Sequence, residues 1–224
     1  MVKISFVAPL FVYACVACSG ANIFGVCGTG FTSNSCTTLA ATTGAADDGN
    51  YTLLLPNPDS VTQPLVTNSS VFPISTGDWV ADGIDNSSWI SPKGTENTDA
   101  AGNFTYQETF TLAAGTNLAS AVITGDWATD NSGTITLNGN TVGTASSGFG
   151  SLTAFTINSG FVIGTNLLDF VVTNANTQAS SNPTGLRVEI TSATANPGVP
   201  EPASLSFVSM GLAGFGILAR RLRR

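Results

Sequence analysis

Residues 104–112 alternate between apolar and polar side chains with a period of two, and this pattern restricts the fold more than any other feature. The apolar positions from Phe104 to Leu112 share one face of an extended segment, and only Glu108 interrupts that face. Further short apolar runs lie between turn residues at 118–123, 133–137, 154–157, 167–172 and 186–190. Outside the C-terminal apolar span, the sequence has no helical period. Short strands at this spacing favour an all-β sandwich over alternating strands and helices.

One β-hairpin follows from its turn residues. Asn138-Gly139 stands between the short runs 134–137 and 140–142. A type I′ turn needs positive φ at both central positions, and Asn and Gly tolerate this conformation best. The sequence therefore predicts two antiparallel strands joined by a two-residue turn.

The N-terminus has the build of a secretory signal peptide over residues 1–21. The single cation Lys3 precedes an apolar stretch, and Ser19-Gly20-Ala21 offers small side chains for cleavage before Asn22. We therefore expect the chain to be exported.

The C-terminus combines three features in a short stretch. Pro200-Glu201-Pro202 lies in the expected linker 194–202, and residues 203–219 carry no charge. As a transmembrane helix this run would span about 26 Å, the short end for a bilayer core. The sequence closes on the basic residues Arg220, Arg221, Arg223 and Arg224, over 220–224. Charge bias would keep these arginines on the cytoplasmic side.

This three-part tail resembles the PEP-CTERM sorting signal of Gram-negative bacteria that produce exopolysaccharide. The resemblance implies recognition by an exosortase, a membrane transpeptidase-like enzyme, and cleavage near Pro200-Glu201-Pro202. It also implies transient anchoring in the inner membrane, then release to, or attachment at, the cell surface or extracellular matrix. A permanent single-span anchor is the alternative.

Between residues 22 and 196 the chain is acidic. Lys93 and Arg187 are its two cations there, whereas every acidic residue except Glu201 falls in this part. Two cations cannot neutralise a row of phosphates, so nucleic-acid binding is excluded. The sequence has no His, which excludes Ser-His-Asp catalysis and His-ligated metals.

The composition of the remaining segments predicts the rest of the domain organisation. Residues 22–47, rich in Gly, Ser, Thr and Ala, are interpreted as a low-complexity leader or irregular first strands, and the sandwich is expected over 48–193. Cys27 and Cys36 are the cysteines that remain after signal cleavage. In an oxidising compartment they would close a small disulfide loop, with two free thiols as the alternative.

A second resemblance lies between Gly125 and Asn174. Asn138-Gly139, then Phe155, then Gly164-Thr-Asn166-Leu-Leu168-Asp-Phe170 resembles the core of galactose-binding-like jelly rolls. The resemblance implies a jelly-roll β-sandwich and glycan binding. In it, Gly164 and Asn166 turn the chain into a strand whose Leu168 and Phe170 fill the core.

Sugar binding needs an aromatic face for C–H groups and polar side chains for hydroxyls. The first-ranked set is Trp127 with Asp126, Asp130 and Asn131, which flank a connection between strands. The alternative is that the tryptophans belong to the core.

Aspartates are also candidates for two other roles, calcium binding and hydrolysis. Asp78, Asp82 and Asp85 offer hard oxygens for a structural Ca²⁺, with a solvated acidic loop as the alternative. Hydrolysis by paired carboxylates is the one enzymatic chemistry left open, yet the spacing of Asp126 and Asp130 singles out no acid and no base. The chain is therefore expected not to be an enzyme.

Taken together, these patterns predict an exported, non-enzymatic protein of the cell surface or extracellular matrix that associates with exopolysaccharide in biofilm. One alternative is a structural or adhesive matrix protein without a ligand site. Another is a glycosidase that uses two carboxylates.

Overall fold

The computed structural model describes residues 21–83, 86–95, 98–175 and 181–198. Except for Ala21, the expected signal peptide lies outside these residues, and so do the apolar run 203–219 and the terminal arginines. The described residues contain no helix with the length and apolar character needed to cross a bilayer.

The described residues form strands that vary from short bridging pieces to long central strands. They are β1 (Ala21–Asn22), β2 (Thr52–Leu53), β3 (Leu65–Val66), β4 (Ile90–Ser91), β5 (Gly102–Leu112), β6 (Thr116–Asp130), β7 (Ser132–Leu137), β8 (Asn140–Val142), β9 (Thr153–Ile157), β10 (Gly164–Asn174) and β11 (Gly185–Pro197).

Two antiparallel sheets contain all of these strands. One has the order β3-β4-β11-β6-β9, with β1 paired to β11, and the other has the order β2-β5-β10-β7-β8. The long strands β6 and β11 form the middle of the first sheet, and β5 and β10 form the middle of the second. The all-β class and the two sheets of a β-sandwich are therefore confirmed.

The core lies between the inner faces of the sheets. The period-two face of β5 is buried from Phe104 to Leu112, including Glu108. The ring of Phe170 on β10 lies 5.5 Å from the ring of Trp127 and 6.1 Å from that of Phe155. Each fully buried large apolar side chain contributes about 1.5–3 kcal/mol, so this aromatic layer is a main source of stability.

The predicted hairpin is present. Leu137 pairs with Asn140, and Asn138 and Gly139 have φ values of 53° and 80°. The Asn138 side chain also accepts a hydrogen bond from the Leu167 backbone N–H at 3.0 Å. The turn is thereby tied to the start of β10, where Asn166 is fully buried.

Residues 22–47 are placed differently from the expected leader. Ile23, Val26 and Phe31 are buried, and Ile23 and Val26 belong to the main core. The backbone N–H of Thr29 donates to the Val188 carbonyl at 2.9 Å, which fixes the segment on β11. The segment packs into the sandwich because its few apolar side chains cover the core.

The sandwich has two distinct ends. At one end, which we call the terminal end, β5 ends at Leu112, β10 begins at Gly164 and β11 ends at Pro197. We call the far end the one where β6 ends at Asp130 and β10 ends at Asn174. At about 3.3 Å per residue, β6 separates the two ends by about 45 Å.

Candidate glycan-binding cleft

A cleft with a volume of about 170 Å³ opens at the far end of the sandwich. It combines a buried carboxyl group, an amide and several aromatic rings. Its main lining residues are Phe72, Asp78, Trp79, Asp130, Asn131 and Phe149.

Asp130 gives the cleft its chemistry. Its side chain is buried, with 5% of the residue exposed, and its Oδ2 accepts a 2.8 Å hydrogen bond from the Trp79 Nε1–H. No described residue donates a hydrogen bond to Oδ1. Burial raises the pKa of the Asp130 carboxyl to about 6, and the hydrogen bond from Trp79 opposes that rise. Near pH 7 the carboxyl group is therefore mostly ionised, and its Oδ1 lies buried behind the cleft surface without a donor.

Trp79 is held by close packing at the base of the cleft. Its ring stacks on Trp89 with centroids 4.2 Å apart, and Ala128 belongs to the same apolar cluster. A Cβ at Gly185 would lie 2.5 Å from Trp79 Cη2, so only glycine leaves room for the ring there. This packing fixes the indole N–H that orients Asp130.

The backbone around Asp130 is also fixed by side chains. The Thr184 hydroxyl donates to the Asp130 carbonyl at 2.6 Å. Asn131 accepts a 2.7 Å hydrogen bond from the Ala175 backbone N–H through its Oδ1. The cleft wall is therefore built before any ligand arrives, which favours recognition without rearrangement.

The first-ranked sugar platform is not exposed. Trp127 is fully buried, and its Nε1–H donates to the Thr144 carbonyl at 3.0 Å. Adjacent side chains on a strand point to opposite faces, so Asp126 lies on the outer face of the sheet while Trp127 points into the core. The structure therefore does not bring Trp127 and Asp126 to one site, and Trp127 matches the core alternative.

Of the predicted glycan-binding residues, Asp130 and Asn131 do lie together in the cleft. Trp79, Phe72 and Phe149 join them from remote parts of the chain. The sequence carries no signal for the pairing of Trp79 with Asp130, because 51 residues separate them.

The three aspartates of the calcium hypothesis have different surroundings. Asp78 is exposed and accepts a 2.5 Å hydrogen bond from the Thr76 hydroxyl. Asp82 accepts a 2.8 Å hydrogen bond from the Trp89 backbone N–H, and burial raises the pKa of its carboxyl. Asp85 lies outside the described residues. Within the described part of the chain, no group of three or more His, Cys, Asp or Glu is placed to hold a metal ion, and the calcium hypothesis stays a prediction.

Ion pairs engage both Lys93, which is half-buried, and Arg187, which is buried. Lys93 Nζ lies 3.1 Å from Asp59 Oδ1 and 3.7 Å from Asp99 Oδ1. Arg187 is buried and pairs with Glu189. Both cations are therefore paired with acidic side chains of the domain itself, as a charge removed from water requires.

Asp99 is a buried acid that sequence reasoning missed. Burial raises the pKa of its carboxyl to about 7, the Thr184 backbone N–H opposes the rise, and the neighbouring Asp59 adds to it. No pattern in the sequence separates Asp99 from a solvated turn residue, because the atoms that bury it come from other strands.

The described part of the chain joins Cys27 and Cys36 in a disulfide, with their Cα atoms 5.3 Å apart. The Cys27 backbone N–H donates to Oε1 of the buried Glu108 at 2.7 Å. Burial raises the pKa of Glu108 well above its ordinary value. The residue that interrupts the apolar face of β5 thus anchors the N-terminal segment.

Comparison with protein families identifies the function of the C-terminal segment. The PEP-CTERM protein-sorting motif matches residues 198–224, which contain Pro200-Glu201-Pro202, the apolar run and the terminal arginines. The chain ends in a PEP-CTERM sorting motif. This motif marks an exported protein that exosortase processes. The PEP-CTERM motif begins at Gly198, directly after β11, so the sandwich is the part that is delivered. The chain matches none of the curated proteins with which it was compared.

Proposed function

We propose that this PEP-CTERM protein is a non-enzymatic component of the cell surface or extracellular matrix of a Gram-negative bacterium, where it associates with exopolysaccharide in biofilm. The observation that carries the proposal is the sorting motif that directly follows a folded β-sandwich. In this proposal the sandwich is a jelly roll of the galactose-binding-like type. The tail anchors the chain transiently in the inner membrane until exosortase processes it.

The Asp130 cleft is the proposed point of contact with a glycan. The exposed carboxylate of Asp78 and the amide of Asn131 offer polar groups for sugar hydroxyls, and Phe149 at the rim offers an apolar surface. The Oδ1 of Asp130 is buried behind them and adds negative charge to the cleft. The volume of about 170 Å³ is below the roughly 300–1,000 Å³ of pockets for drug-sized ligands. The cleft therefore suits one sugar unit or a branch rather than a length of polymer.

The charges of the cleft lining indicate which class of glycan would bind. Asp78 and Asp130 line the cleft, whereas Lys93 and Arg187 are engaged in ion pairs elsewhere. The negative charge of these two carboxylates favours a hydroxyl or an ammonium group and repels a uronic acid. The proposed partner is therefore a neutral or amino-sugar polysaccharide.

Two observations support a binding role rather than hydrolysis. Asp126 and Asp130 are four residues apart on β6, about 13 Å along the strand, which exceeds the roughly 5–9.5 Å between the two carboxylates of glycosidases. Asp130 and Asn131 are also held in place by hydrogen bonds with Thr184 and Ala175, as suits a rigid binding surface.

Retention of the full chain on native exopolysaccharide tests the binding claim. The wild-type protein in detergent should be retained, and Asp130→Asn should lower retention because it removes a negative charge from the lining of the cleft. Asp126→Asn is the matched control and should behave as wild type. The assay is run with calcium and with a chelator. No retention of the wild-type protein under either condition would refute glycan binding.

The sorting claim has its own test in a host that expresses exosortase. Alanine in place of Pro200, Glu201 and Pro202 should trap the protein in the membrane fraction. Pro197→Ala is the control, because this proline ends β11 just before the motif. Equal surface delivery of both variants would argue against processing at this motif.

A matrix protein without a ligand site is the second candidate. The observation that favours it is that Trp79, Trp89 and Trp127 are all buried, which leaves no exposed tryptophan for a sugar. Under this candidate, deletion weakens biofilm cohesion although the purified protein binds no polysaccharide.

A further inference from the structure

The segments at the terminal end of the sandwich contain no charged residue and expose several large apolar side chains. The segments that meet there are 21–24, 111–119, 138–143, 158–167 and 193–198, and none contains Asp, Glu, Lys or Arg. Large apolar side chains stand open on it: Phe24 is 69% exposed, Ile163 is 46% exposed and Val162 is 43% exposed. Soluble surfaces rarely group such residues without a partner.

These residues surround one connection between the sheets. Phe24 lines a cavity of about 340 Å³ together with Ala113 and Ala114. On the other side, Ile163 precedes Gly164, which pairs with Leu112. The exposed apolar side chains therefore flank the loop 113–115 from both sides.

The chain leaves the sandwich at this same end. Gly198 donates a backbone hydrogen bond to the Gly115 carbonyl, so the last described residue lies against the loop 113–115. The apolar run of the PEP-CTERM motif begins at Ala203. Even fully extended, the stretch from Gly198 to Ala203 reaches at most about 18 Å.

The N-terminal boundary lies beside the C-terminal one. Asn22, the residue that follows the expected signal segment, pairs with Thr194 and is therefore adjacent to the last strand. Both apolar segments of the sequence therefore connect to the sandwich at the terminal end.

From this placement we propose that the terminal end rests on the lipid bilayer before processing, with Phe24, Val162 and Ile163 in the interfacial region. The inference rests on the proposed function, in which residues 203–219 are inserted in the inner membrane. The short connection holds this end close to the bilayer, and its apolar side chains lose contact with water when they enter the interface. The acidic side chains lie elsewhere on the sandwich, away from anionic lipid.

Two consequences follow from this orientation. The Asp130 cleft at the far end points away from the membrane, about 45 Å from the terminal end along β6. The connection of at most about 18 Å after Gly198 would also keep the site of processing close to the lipid, within reach of a membrane enzyme.

The test uses the full chain in vesicles of phosphatidylcholine and phosphatidylglycerol, with Cys15 and Cys18 replaced by Ser. A single cysteine at Ile163→Cys carries an environment-sensitive fluorophore. The matched control is Leu55→Cys, an exposed apolar residue that follows β2 toward the far end. Quenchers on the lipid chains and in the water report the position of each label, and the thermal unfolding transition confirms that each labelled protein is folded.

We expect the label at position 163 to be quenched by lipid and protected from water, and the label at position 55 to show the reverse. If alkaline carbonate does not extract the protein and both labels are equally accessible to the aqueous quencher, the contact of the terminal end with lipid is refuted. The insertion of the tail would then still stand. Extraction by carbonate would instead overturn the insertion of the tail. Disulfide cross-linking between two unlabelled Ile163→Cys chains would assign the surface to a second copy of the chain and overturn lipid contact.

Discussion

The indole N–H of Trp79 holds one oxygen of the Asp130 carboxylate at 2.8 Å, and no described residue donates to the other oxygen. Trp79 comes from a loop before β4, and Asp130 ends β6. The pair therefore joins two remote parts of the chain into one polar site at the far end. It also explains why a buried acid is tolerated there, since the indole satisfies half of the carboxylate.

Asp130→Asn should stabilise the protein near pH 7. The ordinary Asp pKa is 3.8 and burial raises that of Asp130 to about 6, so folding works against the charged form. The gain in the free energy of unfolding should be about 1–3 kcal/mol near pH 7 and should vanish near pH 4, where the wild-type carboxyl is protonated when folded. Urea unfolding at both pH values measures it.

Asp126→Asn provides the control for that experiment, since Asp126 lies on the outer face of the sheet. Its free energy of unfolding should stay within about 0.5 kcal/mol of wild type. A destabilised Asp130→Asn protein at pH 7 would mean that the negative charge supports the fold.

The stability of the whole domain should rise on mild acidification, with Asp99 as a main contributor. Its pKa is about 7 when folded and 3.8 by ordinary values, so between these pH values the folded state binds more protons than the unfolded state. The free energy of unfolding therefore falls as pH rises through this window. Denaturant titrations from pH 4 to pH 8 should show the slope.

Asp99→Asn should flatten that slope, whereas Asp78→Asn at an exposed position should leave it unchanged. An unchanged slope in Asp99→Asn would show that Asp99 is ionised in the folded protein through its contact with Lys93.

Trp127→Leu should destabilise the fold and spare glycan retention. The substitution removes ring contacts with Phe170 and the hydrogen bond to the Thr144 carbonyl, at a cost of about 2–4 kcal/mol. Retention on polysaccharide, corrected for the folded fraction, should equal that of wild type. If retention is lost while the far-UV circular dichroism is native, Trp127 contacts the ligand after all.

Removal of the disulfide should loosen the N-terminal segment. Cys27 and Cys36 are nine residues apart, and closing a loop of this size stabilises a fold by about 2–3 kcal/mol. The double variant Cys27→Ser, Cys36→Ser should lose this amount in thermal or denaturant unfolding. Dithiothreitol should lower wild-type stability to the same level and leave the variant unaffected; a variant as stable as the oxidised wild type would contradict the prediction.

Local patterns predicted a good part of this fold. The alternation from Phe104 to Leu112 became the buried face of β5, and Asn138-Gly139 became the positive-φ turn between β7 and β8. The alternation along β6 also indicates that Trp127 points inward, because Ala121 and Ile123 share its face and are buried. Pairing Trp127 with its sequence neighbour Asp126 ignored that strand geometry.

Segment 22–47 shows where such patterns fail. Its buried residues Ile23, Val26 and Phe31 follow neither a helical nor a strand period. They are ordered by partners distant in the chain, such as Glu108 for Cys27 and Val188 for Thr29. Low sequence complexity therefore did not mean absence from the core.

By itself, the sequence determined the short-range features: the strand texture, the hairpin turn, the lack of imidazole and the sorting tail. These depend on neighbouring residues or on a contiguous motif. Only the tertiary structure decided which carboxylates are buried, that Asp130 meets Trp79, and that both ends of the sandwich domain emerge at one charge-free end. Burial and pairing depend on atoms supplied by remote segments, and a linear pattern does not encode that proximity.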